Sequence, residues 1–398
     1  MITRILVLSY YYPPDLSAGA FRAQALVRAL VAELGDQLQI DVVTTQPNRY
    51  HSYTADAAAN ESISGVNVRR ISVSSHQSGF LDQSRAFATY ALSARRLVTN
   101  SRYDLVVATS SRLMTATLGA ILARRCQARL YLDIRDIFVD MLPELFSVNT
   151  GKLVARLFSP VERWTIRQAA RVNLISPGFS SYFNNRYPNK EFSLYSNGVD
   201  DLFLSSPLFT AQMPVAKRRK RLRVVYAGNI GAGQGLDLIL PELANRLSQT
   251  VEFQVIGDGG ALHKLERELE QAKVRNVVIT PPMRRERLLQ AYHEADVLFL
   301  HLNNLKALQR VLPSKIFEYA ATHKPIWAGL TGYSSQFAIE NIKNVALFQP
   351  CDINGAVQAL ETLRVQPTSR EEFVRQFSRS TIMQRMAKDV LHTSSCWH

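Results

Sequence analysis

Leu222–Leu247 reads LRVVYAGNIGAGQGLDLILPELANRL. Its first six residues form a β-rich apolar run. Its last twelve repeat apolar residues at helical spacing, and the join between the two holds four glycines. Strand, glycine-rich turn and helix make one unit of a parallel α/β sheet. Glycines at such a turn let backbone N–H groups approach an anion, and the positive end of the helix favours phosphate. Tight packing explains the turn equally well, because the spacing is not GxGxxG and no acidic residue follows at the distance a dinucleotide ribose requires.

The same rhythm continues on both sides. Downstream, Glu252–Ile256, Asn276–Ile279, Val297–Leu300, Pro325–Ala328 and Val345–Phe348 read as strands, with helices at Leu262–Ala272 and Arg284–Tyr292. Upstream, Ile5–Ser9, Ile40–Thr44, Val66–Ile71, Leu105–Thr109, Arg129–Asp133, Val172–Ile175 and Phe192–Tyr195 read as strands, with helices such as Phe21–Leu34 and Leu113–Arg124 between them. Between the halves lies SPLFTAQMPVAKRRKR, a polar, proline-containing and basic break. The expected organisation is a first α/β domain over 1–200, a linker over 201–221 and a second α/β domain over 222–365. The helical pattern of Ser369–His392 has no strand after it, so 366–398 is expected to cross back onto the first domain. Two doubly wound sheets facing each other would bind ligands at the carboxyl ends of their strands.

At 398 residues, with 46% hydrophobic and 20% charged residues, the chain has the composition of a folded protein of two ordinary domains. No apolar run reaches the ~20 residues that span a bilayer. The opening MITRILVLSYYYPP lacks the order of a signal peptide and reads as a strand. Cys126, Cys351 and Cys396 show neither metal-binding nor disulfide spacing, which fits a reducing cytoplasm. A formal net charge of +14 calls for an anionic partner. Without zinc-finger, RNA-reading or helix-turn-helix signatures, nucleic acid is not expected. An anionic membrane face or a phosphorylated substrate remains.

Val311–Tyr319, VLPSKIFEY, follows an apolar strand. Pro313 suits a first helical turn, and Ser314 is a competent N-terminal hydroxyl. Lys315 puts a cation where a diphosphate would rest, and Glu318, one turn on, can accept from both hydroxyls of a ribose. An ordinary capped helix with surface charges accounts for this stretch as well. Val255-Ile-Gly-Asp-Gly-Gly260 repeats the glycine device at a second strand end, and Pro281 and Pro282 stiffen a third.

Together, GNIGxxQG, VIGDG, a proline-bearing strand end and PSKIFEY followed by KPI resemble the nucleotide-binding domain of GT-B glycosyltransferases, and most closely the retaining family four. In the first half, LVLSYYYPPDLSAGAFRAQAL, LDIRDIF and LYSNGVD resemble that family's opening loop, mid-domain strand end and last strand before the crossover. NRYHSY and HQSGFLDQS resemble bacterial enzymes assigned as N-acetyl-L-fucosamine transferases of O-antigen and capsule assembly. The resemblance covers roughly 3–365. It implies two facing Rossmann-like domains with a C-terminal helix crossing back. It also implies a UDP-sugar donor carrying an N-acetylated hexosamine or deoxyhexosamine, a polyprenyl-diphosphate-linked glycan acceptor, and retention at the anomeric carbon.

Carried over position by position, the resemblance implies that Glu318 binds the donor ribose and that Ser314, Lys315 and Ile316 meet the diphosphate. Gly257 and Asp258 would line the nucleoside pocket, with Pro282 and Met283 near the base. Asp136 and Asp133 would contact sugar or acceptor, and Gly19 and Arg22 would sit beside the donor phosphates. The family's customary pair of cations is missing, because Asn229 and Gln234 stand in their places. The first glutamate of its usual pair falls at Arg310. Lys315, Arg310 or Arg22 is expected to supply the missing charge. His51 and His76 are acceptor-side candidates, with simple solvation as the alternative. No Asp-x-Asp sequence occurs, so no metal and no cofactor is expected.

Over 151–172, Lys152, Arg156, Arg163, Arg167 and Arg171 share one helical face, interrupted by Pro160. This stretch is either an ordinary solvated helix or the contact with an anionic membrane, which would place the protein peripherally on the inner face of the cytoplasmic membrane. A UDP-N-acetylhexosamine 2-epimerase and a non-catalytic sugar-nucleotide-binding subunit are the competing functions. Epimer formation without acceptor would mark the first, and binding without turnover the second.

Overall fold

The structure is a computed structural model describing residues 2–50, 52, 55–73, 80–110, 112–145, 148–206, 208 and 220–395. The chain divides into two compact units, Met1–Asn197 with Arg379–His398, and Gly198–Ser378.

In the first unit the strands are β1 Thr3–Ser9, β2 Leu38–Thr45, β3 Asn60–Ile63, β4 Val66–Ile71, β5 Leu105–Ser110, β6 Arg129–Ile134, β7 Arg171–Leu174 and β8 Phe192–Ser193. They line up as β3-β4-β2-β1-β5-β6-β7-β8. All neighbours are parallel except the β3/β4 hairpin. Apolar runs make the central strands because both faces are covered. Ile5, Val7, Ile40, Val42, Leu105 and Val107 are fully buried against Leu26 and Leu30 of the helix Ala18–Leu34. Met383, Met386 and Val390 of the C-terminal helix Arg379–Ser395 complete the same core.

The second unit holds β9 Leu222–Asn229, β10 Val251–Asp258, β11 Val277–Thr280, β12 Val297–His301, β13 Ile326–Gly329 and β14 Val345–Phe348. Their order, β11-β10-β9-β12-β13-β14, is that of a dinucleotide-binding sheet, with strand order reversing between β9 and β12. All pairs are parallel. Trp327, Phe253, Phe299 and Phe348 interlock at its centre, with Phe299 and Trp327 centroids 5.0 Å apart.

Thirteen of the fourteen strands lie where apolar patterning places them. The missed one, β3, is NESI, mostly exposed, and paired only along a sheet edge. Four other expectations need correction. The return to the first unit begins at Arg379, not at 366, because Phe373 and Phe377 are held in the second unit by Phe317 and Phe337. The start of the expected linker is structured: Asp201–Leu204 is helical, and buried Phe203 stacks on Tyr292. Pro160 does not break its helix, which runs from Val148 to Gln168. An interior proline costs about 3 kcal/mol. Burial of Ile166 and partial burial of Val161 and Trp164 offset it at about 1.5–3 kcal/mol for each apolar side chain fully covered. Finally, Arg171 leaves the basic face to begin β7, where it pairs with Glu191 and Asp389.

Candidate functional site

In the second unit, the candidate site forms where β9, β10 and β12 end. The Lys315 side chain lies across Gly228 so closely that a Cβ there would collide with its Nζ and Cε. Gly228 also has φ +141°, a backbone conformation that only glycine adopts freely. The ammonium stands 5.0 Å from the centroid of the Tyr226 ring. Tyr319 Oη accepts from Ala227 N–H at 3.0 Å, and Tyr226 Oη donates to the Asn229 carbonyl at 2.6 Å, so two tyrosines brace the turn from below. Asn229 Nδ2 donates to Gln234 Oε1 at 2.8 Å. The two residues standing in for the expected cations therefore close the loop on itself, while Lys315 brings a charge to it from the other side.

Gly257 lies against the Gly228 carbonyl, and the Asp258 carbonyl accepts from Ile230 N–H at 2.8 Å, which ties the two glycine loops together. Asp258 Oδ1 accepts from Gly259 N–H at 2.7 Å. Glu318, Arg310, Pro282 and Met283 are half-buried, Pro282 and Met283 just past the end of β11 and Glu318 one turn after Lys315. Ser314 makes no side-chain capping bond. Ile316 is corrected: its side chain is fully buried and its N–H donates to the Pro313 carbonyl at 3.1 Å, so it is not available to a diphosphate.

His301, which sequence reasoning passed over, closes this site from beneath. It is fully buried at the end of β12, where Nε2 accepts from Cys351 N–H at 3.0 Å and Nδ1 donates to the Gln234 carbonyl at 2.6 Å. Burial pulls its pKa down to about 4. The unfolded chain therefore takes up a proton below pH 6.5 that the folded one refuses. The stability due to neutral His301 is complete above pH 6.5 and falls away as pH drops through about 4. Relative to His301→Gln, the wild type should lose about 2 kcal/mol between pH 7.5 and pH 5. Urea unfolding curves for the two proteins that stay parallel over that range would refute this.

The first unit assigns new roles to two predicted residues. Arg22 is 1% exposed, and its Nε and Nη2 donate to both oxygens of Asp133 at 2.8 and 2.9 Å. Its remaining donors go to the Ser196 and Tyr195 carbonyls. Asp133 also accepts from Thr109 Oγ1 and Asn173 Nδ2. Burial works against its charge, but the adjacent guanidinium outweighs that and holds the carboxyl below its usual range. Arg22 and Asp133 therefore occupy each other inside the sheet, and the expectation that they face phosphates or acceptor is corrected.

Asp136 lies beyond the end of β6. Burial raises its carboxyl to about 6, and Oδ1 accepts from Ile137 N–H at 2.9 Å. Gly19 opens the first helix beneath the side chain of Arg135. His51 and His76 lie outside the described residues. Among those described, no helix is long and apolar enough to cross a membrane.

Residues 20–195 match the family described as glycosyl transferase 4-like domain. The matched segment contains Arg22, Asp133, Asp136 and the basic helix, but not the Lys315 site. WcaI of Escherichia coli (strain K12), named as a colanic acid biosynthesis glycosyl transferase, is 26% identical over 227 residues, or 54% of each chain. The matched region thus spans about half the length of that relative. Two solved structures share the fold over nearly the whole chain. Anabaena HepE in complex with UDP-glucose has a TM-score of 0.63 at 16% identity, covering 98% of this chain and 99% of that one. The catalytic domain of starch synthase IV from Arabidopsis thaliana, bound to ADP and acarbose, has a TM-score of 0.64 at 16% identity, covering 99% of both. The chain thus has an α/β architecture of Rossmann-like parallel sheets that matches GT-B glycosyltransferase structures.

Proposed function

We propose that the chain is a glycosyltransferase of bacterial surface-polysaccharide assembly. It moves an N-acetylated hexosamine or deoxyhexosamine, with retention, from a UDP-sugar to a polyprenyl-diphosphate-linked glycan. The observation that carries the reading is Lys315, drawn across Gly228 at the strand-order reversal of the second unit. In glycosyl transfer, negative charge develops on the departing diphosphate. A preplaced ammonium and glycine-lined N–H groups stabilise that charge without a covalent enzyme nucleophile. Glu318, one turn along, is the group for the ribose hydroxyls. The UDP-glucose complex of HepE and the colanic acid assignment of WcaI support a nucleotide-sugar donor and a bacterial glycan product. No metal or cofactor is assigned a part.

The acceptor side of the reading rests on the helix Val148–Gln168. Lys152, Arg156, Arg163 and Arg167 are exposed, and between them Leu153 and Leu157 are 60% and 66% exposed. Leucines one turn apart among cations suit the boundary of an anionic bilayer, where each cation contributes about 1 kcal/mol. Labelled UDP-sugars incubated with EDTA and acceptor should pass label into the lipid phase. Leu153→Ser with Leu157→Ser should slow transfer to acceptor in anionic vesicles but not to acceptor in detergent. Label that stays water-soluble as an epimer, or binding without turnover, would reject the transferase.

A further inference from the structure

Arg49, Arg112 and Arg135 are far apart in sequence but gather at the carboxyl end of the first unit's sheet. Arg112 Cζ lies 4.7 Å from the Tyr10 ring centroid and 5.8 Å from that of Tyr11, and its Nη2 donates to Tyr11 Oη at 3.1 Å. Arg49 Cζ stands 5.6 Å from the same Tyr11 ring and 5.4 Å from that of Tyr50. Arg135, just past β6, lies over Gly19, where a Cβ would collide with its guanidinium. It is near enough to Arg49 for the two charges to repel. Tyr10 and Tyr11 directly follow β1, so the cluster sits where strand order reverses between β1 and β5. That is the ligand position of such sheets.

Local acids offset this charge only in part. Asp133 and Asp136 both attract Arg135, but Asp133 is already bound in both oxygens by Arg22. Burial raises both Asp15 and Asp136 to about 6, and each accepts backbone N–H groups, from Asn48 and Arg49 in one case and from Ile137 in the other. Arg22 satisfies its donors within the protein, whereas Arg135 Nε is buried with no hydrogen-bond acceptor, and burial draws this arginine down to about 10. A half-buried guanidinium whose Nε–H is buried without an acceptor lowers the stability of the ligand-free fold, so the missing acceptor is expected to come from a ligand.

We propose that Arg49, Arg112 and Arg135 hold a phosphoryl group at this edge of the first unit, with Gly19 kept bare for the Arg135 side chain. The guanidinium fork matches phosphate oxygens, and several forks at one sheet edge favour a multiply charged oxyanion over a single carboxylate. Under the transferase reading, on which this assignment of source rests, the group comes from one of two substrates. It is either the diphosphate of the lipid-linked acceptor or that of the nucleotide donor.

Pyrophosphate is titrated calorimetrically into the full chain carrying Lys315→Ala, which silences the second unit's cation. Adding Arg135→Met or Arg112→Gln should weaken binding roughly 10- to 100-fold. Arg135→Met should also leave the ligand-free melting temperature unchanged or raised, because it removes a desolvated guanidinium with an unmet Nε–H. In the chain with Lys315 intact, farnesyl diphosphate and UDP then separate the sources. Weaker farnesyl diphosphate binding in Arg135→Met assigns the site to the acceptor, and weaker UDP binding assigns it to the donor. Pyrophosphate affinity unaffected by either substitution would overturn the site. So would a ligand-free Arg135→Met melting well below wild type, which would make the guanidinium structural. Neither readout needs turnover, so failure of the transferase reading stays distinguishable.

Discussion

Lys315→Ala is expected to lower donor turnover, kcat/KM, by about 10²–10³-fold, with most of the loss in kcat. The ammonium lies across Gly228, 5.0 Å from the centroid of the Tyr226 ring, beside the glycine loop. The two nearest loop side chains, Asn229 and Gln234, are neutral and bonded to each other, so neither supplies the missing charge. A cation acting on the departing diphosphate stabilises the transition state more than the ground state, which is why kcat should fall further than donor affinity. Gly228→Ala offers an independent form of the same test. A methyl group there would occupy the space of Lys315 Nζ and Cε, so displacing the lysine should reproduce the alanine phenotype with Lys315 still present. Unchanged turnover in both variants would remove the basis of the proposed donor site.

The second large effect concerns stability. Asp133→Ala should destabilise the protein by about 3–5 kcal/mol, because it strands the Arg22 guanidinium at 1% exposure. Set against a total of about 5–15 kcal/mol for a folded domain, this is enough to unfold a sizeable fraction. Urea unfolding should show an earlier midpoint, while activity per folded molecule is retained. Were stability untouched and turnover lost, Asp133 would belong to the reacting centre as family likeness implies, and the buried pair would be incidental.

How far the sequence reading carried depended on the kind of interaction. Strands such as Leu105–Ser110 and Val297–His301 emerge from sequence within one residue of their observed bounds, because a strand buried on both faces needs an unbroken apolar run. The β9 turn is equally plain, since glycine at Gly228 answers a local backbone demand. NESI at β3 is invisible because an exposed edge pairing leaves no apolar pattern. Pro160 misleads because local propensity is a weak term beside the packing of a long helix.

The sequence by itself determined the alternation of strand and helix, the glycine-lined turn before Leu236 and the lysine and glutamate of VLPSKIFEY, since each is written in neighbouring residues and acts over one or two turns of chain. Tertiary structure alone decided which charges are spoken for. It seals Arg22 against Asp133 across 111 positions, sets His301 beneath the Gln234 carbonyl, and gathers Arg49, Arg112 and Arg135 around Tyr10 and Tyr11. The physical reason is strand order: side chains at the ends of β1, β2, β5 and β6 become neighbours only once those strands lie side by side, and no local pattern encodes that adjacency.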